Sequence, residues 1–161
     1  MDVEAVELWV PRGGVDGAPD ECLLGVPLLQ APGIMGLYRL VSSSVWTPLT
    51  WGDVVNARGV DELLTIESLA ASGPHTRLVV AYDQSVPRMT ARAVAQAWAQ
   101  RGAVALEALP GLFITAWAAG MTVDDAVGVV EETTSHAWHV LEAWASEERT
   151  GTSLAAFLTD T

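Results

Sequence analysis

The hydrophobic pattern of this 161-residue chain changes its period near residue 76, and that change constrains the fold more than any other feature. Before it, short runs of strand-forming residues at 6–10, 22–29, 37–42, 53–57 and 63–69 alternate with turn residues, the pattern of a small β-rich, barrel-like unit. Between the first two runs, Pro11, Gly13, Gly14, Gly17 and Pro19 forbid a regular element and predict a flexible loop. In Trp51-Gly52-Asp53, Gly52 is free to take positive φ and Asp53 is able to bond nearby backbone amides, a structural role.

After the change, Leu78, Val80 and Tyr82 alternate with Val79 and Ala81 in a run that is apolar on both sides, as a central strand is. Ala91, Val94, Ala95 and Trp98 then recur at i, i+3, i+4 and i+7, which predicts an amphipathic helix over 90–101, stopped by Gly102. Two apolar runs, 103–109 and 112–118, flank Pro110-Gly111 and read as an antiparallel pair. Thr122 with Asp125 three residues on forms a variant capping box, opening a second helix over 122–137. The run 138–144 alternates like a strand.

In order these elements are β, α, β, β, α, β, the ferredoxin-like arrangement that packs two helices on one face of a four-stranded antiparallel sheet. The expected class is therefore α+β. The β-rich unit occupies 1–75, the ferredoxin-like unit 76–146 and a tail 147–161, where Thr152 caps a short helix carrying Leu154, Phe157 and Leu158. The helix-free face of the sheet needs cover, from the first unit, a second subunit in a homo-oligomer, or a ligand.

Half the residues are hydrophobic, enough for a sizeable core. The longest apolar stretch, 109–120, is broken by Pro110, Gly111 and Thr115 and is shorter than the ~20 residues of a membrane span, so no membrane partner is expected. The N-terminus carries acids where a secretory signal carries bases, which predicts a cytoplasmic protein. Twenty acids oppose eight arginines, without a lysine, for a net charge of −12. That field repels phosphate backbones, and the absence of a basic cluster argues against nucleic acid. It serves solubility and also suits a basic partner. The single cysteine, Cys22, reads as a small buried hydrophobe without an internal disulfide.

Tyr38-Arg39-Leu40-Val41-Ser42, the Gly-Asp-Val-Val of Gly52 to Val55, and Ser-Gly-x-x-Thr-Arg from Ser72 to Arg77 together resemble a family of uncharacterised bacterial proteins known only as a domain of unknown function. The likeness covers about the middle third of the chain. It implies a β-rich front half joined to an α+β back half, and it brings no catalytic residue with it.

Glu132, His136 and His139 would share a region of one helix, but two histidines without a defined third ligand make a weak zinc signal, and no metal is expected. His75 and Arg77 flank Thr76 at the junction of the two units, with an acid–base group beside an anion clamp. Glu107 and Glu142 interrupt apolar strands, and with Thr115 they are expected on the helix-free face, where paired carboxylates do acid–base work. Of seven tryptophans, Trp98, Trp117, Trp138 and Trp144 read as core, whereas Trp46 and Trp51 lie in a turn-rich stretch and are candidate binding anchors.

The chain has no phosphate loop, nucleophile elbow or dinucleotide fingerprint, and no cofactor is expected. The first reading is a non-catalytic acidic binding protein, immunity-type or regulatory, that masks a basic protein partner. The alternative is a small-molecule enzyme or ligand binder using the cleft between the units, with Glu107, Glu142, His75 and Arg77 as its catalytic candidates.

Overall fold

The structure is a computed structural model that describes residues 4–11, 21–30, 35–60 and 63–149. Most of the glycine-rich loop and the whole capped tail helix expected from the sequence lie outside these residues. The chain divides into two compact units, one formed by residues up to Gly73 together with Arg149, the other by Pro74–Glu148.

The first unit is a closed five-stranded barrel of β1 (Val6–Val10), β2 (Glu21–Gln30), β3 (Met35–Leu40), β4 (Val54–Val60) and β5 (Leu63–Ala71). Successive strands are antiparallel, and β1 closes the barrel by pairing parallel to β5 at Trp9 and Thr65. Period-two alternation sends Leu8 and Val10 inward while Glu7 stays exposed. With Leu23, Tyr38, Leu40, Val55, Ala57 and Ile66 they form a mainly aliphatic core, joined by Leu49 from the β3–β4 connection. The same alternation corrects one expectation. Because Leu23 points inward, its neighbour Cys22 faces outward and is exposed. Partial desolvation first, then the Glu7 and Glu21 carboxylates, push its thiol above the ordinary value.

The second unit runs β6 (Arg77–Tyr82), α1 (Arg88–Gln100), β7 (Ala103–Leu109), β8 (Leu112–Trp117), α2 (Val123–Thr133), β9 (Trp138–Trp144) and α3 (Ser146–Arg149), whose last residue belongs to the barrel unit. Its sheet is antiparallel throughout, in the order β7-β8-β6-β9. Ala91, Val94 and Trp98 of α1 and Ala126, Val129 and Val130 of α2 enter one core with Leu78, Val80, Phe113, Trp117 and Trp138, so both helices cover the same face. That core is aromatic: Trp98 meets Phe113 and Trp138 edge-on, with centroids 5.6 and 5.7 Å apart. The indole Nε1–H of Trp98 donates to Thr133 Oγ1 at 2.8 Å.

Helix α2 ends at Thr133 rather than reaching residue 137. The hydroxyls of Thr133 and Thr134 donate back to the carbonyls of Val129 and Val130, and Thr134 is already extended, with φ −125° and ψ 169°. Both outer strands carry a bulge. Val104 is the extra residue on β7 and Leu141 the extra residue on β9.

Candidate functional site

One cleft of the second unit is built from three chain segments. Thr76, leading into β6, donates its hydroxyl to Met121 O at 2.8 Å. The β8–α2 connection turns through Gly120, with Met121 N–H bonded to Ala118 O at 3.0 Å. Thr122 then caps α2: its side chain accepts from Asp125 N–H at 3.1 Å, while the Asp125 carboxylate accepts from Thr122 N–H at 3.0 Å. The Thr122 backbone N–H first, and then the Thr122 hydroxyl, hold the Asp125 carboxyl below its usual range. The cleft between this corner and the start of α3 has a volume of about 340 Å³, within the range of small ligand sites. Its charged lining residues are Asp124, Glu147 and Glu148, without a base among them. Such a lining rejects phosphates and carboxylates and favours an ammonium or guanidinium group.

Of the four catalytic candidates, Arg77 and Glu142 meet. Glu142 Oε1 accepts from Arg77 Nε at 3.3 Å and also from the indole of Trp144. Arg77 is fully buried, whereas the Glu142 side chain keeps 35% of its exposure. Glu107 stands in the same row across the sheet, since Glu107 pairs with Ile114, Ile114 with Val79, and Val79 with Glu142. The two glutamates therefore share a face but sit on opposite outer strands, about 14 Å apart at ordinary strand spacing. Thr115 does not join them. It pairs with Leu106 and Leu78, so it belongs to the helix-covered face, where it donates to Leu78 O and accepts from Trp117 Nε1. His75 bonds Trp117 O through Nδ1 at 2.8 Å. A carbonyl only accepts, so the proton is on Nδ1.

Glu132 and His136 no longer share a helix face, because α2 has ended between them, and His139 lies on β9. Glu132 is ion-paired to Arg101. No group of three or more His, Cys, Asp or Glu side chains suited to a metal occurs among the described residues.

In the barrel unit, Trp46 and Trp51 lie on the β3–β4 connection. Ser44 Oγ accepts from Trp46 N–H at 3.2 Å and Thr47 N–H at 2.9 Å, and Ser43 Oγ accepts from Trp51 N–H at 2.8 Å. The backbone beneath the rings is thus fixed. Trp46 remains 57% exposed while Trp51 is half-buried.

Sequence reasoning did not single out Glu147, Glu148 or Arg149. For Arg149 a signal exists. It is the only arginine after Arg101, and it stands in an acid-rich stretch.

In fold, the chain is similar to a hypothetical protein from Neisseria gonorrhoeae known from its crystal structure, with a TM-score of 0.61 at 13% sequence identity, covering 91% of this chain and 99% of that one. No family model and no curated protein matches the chain. At this identity the likeness is one of fold alone: an α+β protein with a closed barrel and a separate sheet carrying helices.

Proposed function

We propose that this protein is a non-catalytic acidic binder that masks a basic protein partner, receiving an arginine or lysine of that partner in the cleft of the second unit. The observation that carries this reading is the cleft lining, where Asp124, Glu147 and Glu148 supply the charge. The wider surface agrees with it. Among the described residues, four arginines are already committed to ion pairs, with Glu67, Glu142, Glu132 and Asp53, and the whole chain keeps a charge of −12. A field of this sign draws a basic surface in from a distance and speeds encounter at low salt. The strand order β7-β8-β6-β9 with both helices on one face supports the ferredoxin-like reading of the second unit. The resemblance to an uncharacterised bacterial family, carried by the residues around Asp53 and Gly73, belongs to the same reading.

The test is titration with a hexa-arginine peptide and with duplex DNA as the opposite probe. The peptide is expected to bind, more weakly as salt rises, and the Asp124→Asn, Glu147→Gln, Glu148→Gln triple variant is expected to bind it at least tenfold less tightly. Equal binding by the variant, or salt-sensitive binding of DNA, overturns the proposal.

A further inference from the structure

We infer that Asp53 and Arg149 form a latch, closing the barrel unit at the point where the chain leaves it and the point where it returns. Asp53 is fully buried at the start of β4, after Gly52 in the left-handed region at φ 91°. Its Oδ1 accepts from Gly73 N–H at 2.7 Å, and its Oδ2 accepts from Thr50 N–H at 2.9 Å. The guanidinium of Arg149, 1% exposed, meets both oxygens end-on, Nη1 to Oδ2 and Nη2 to Oδ1, each at 3.3 Å. The same two nitrogens donate to Pro48 O at 3.4 Å and Gly73 O at 3.3 Å.

Gly73 is the last residue of the barrel unit before the chain departs, and Arg149 is the first on its return. One carboxylate thus ties Gly73 and Arg149, the two barrel-unit residues that flank the 75 residues of Pro74–Glu148 in sequence, to the β3–β4 connection. The fit around Gly73 is close: a Cβ there would lie 2.8 Å from Gly52 O.

Chemistry makes the arrangement two-state. A buried carboxylate and a buried guanidinium each require the other, because either one alone is a desolvated charge without its counter-ion. The planar guanidinium matches the two carboxylate oxygens in a way that an ammonium cannot. The barrel ladders involve no residue beyond Ala71, so the latch opens without breaking a strand pairing. Release at residue 149 is therefore a local event, separate from unfolding.

Limited trypsin digestion of the full chain, read by mass spectrometry, tests this. Arg149 is expected to resist cleavage in the native protein and to be cut at least tenfold faster in Asp53→Asn, while Arg77, fully buried in β6, stays protected in both. Arg149→Lys keeps the charge and the tryptic site but loses the fork. As the milder change it keeps the test open if Asp53→Asn does not fold, and it too is expected to raise cleavage after residue 149 tenfold. Unchanged cleavage in the folded variants, or cleavage at Arg77 rising in parallel with that at residue 149, overturns the latch.

Discussion

The two units weight their buried groups differently, although each buries an arginine and threonines. The sheet-and-helix unit concentrates Trp98, Phe113, Trp117 and Trp138 in one aromatic core. The barrel has a mainly aliphatic core, but it buries a polar set, Ser43, Ser44, Thr47, Thr50, Asp53 and Arg149, around one long connection. Ring packing tolerates small adjustments in angle and distance. Hydrogen bonds to buried groups do not, since a lost partner leaves the full desolvation cost behind. The barrel end is consequently the more specified of the two regions, and the aromatic core the more strongly driven.

The sharpest way to break this contrast is truncation on each side. Trp98→Ala is expected to cost roughly 3 to 5 kcal/mol, through lost area and the cavity left behind, and an unchanged urea midpoint would show that the ring is not central to its unit. Arg149→Met is expected to cost about 3 to 5 kcal/mol by stranding Asp53. Adding Asp53→Asn to it should return part of that loss, giving a double-mutant cycle with coupling well outside additivity. Additive costs would mean that the pair acts only as packed volume.

A smaller effect is expected at the α2 cap, where Thr122→Ala should cost about 1 kcal/mol. The cap also brings a pH dependence. The folded Asp125 carboxyl lies below its unfolded value of 3.8, so its contribution is complete above that value and is lost as pH falls through the folded one. An acid titration of wild type against Asp125→Asn, followed by circular dichroism, should show the two converging only below that window. Smallest of all, Trp46→Ala should change stability by no more than about 0.5 kcal/mol, as an exposed ring does. A larger loss would move Trp46 from the surface into the polar framework of the barrel.

Local chemistry was legible in the sequence, and pairing across long separations was not. The strand at Val6–Val10, the helix face of Ala91, Val94 and Trp98, the capping box at Thr122 and the positive φ of Gly52 all follow from residues within a few positions of one another. The face expected for Thr115 differs from the observed one because it depends on hairpin register. A two-residue turn at Pro110-Gly111 pairs Leu109 with Leu112, which puts Thr115 opposite Leu106 instead of Glu107. The end of α2 escapes period counting because hydroxyl back-bonding by Thr133 and Thr134 competes with helix propensity. Asp53 reads as a ligand for backbone amides, and Thr50 and Gly73 supply them. Its charged partner lies 96 residues away, a distance over which no periodicity speaks. The cleft acids are separated in the same manner, Asp124 on one helix and Glu147 and Glu148 on another.

The bulges on β7 and β9 bear on how the chain behaves in a crowd. A sheet with regular outer strands offers its rim as a template on which a neighbouring molecule can add a strand, and then another. Here each rim is interrupted by an extra residue, Val104 on one side and Leu141 on the other, which kinks the strand and throws the ladder out of step. Val104 and Leu141 are both exposed and apolar, 45% and 64%, so on flat strands they would form the adhesive part of such a rim. Displaced by the bulge, they reach water without a continuous row of backbone donors and acceptors beside them, and the sheet can remain four strands wide even when many copies are close together.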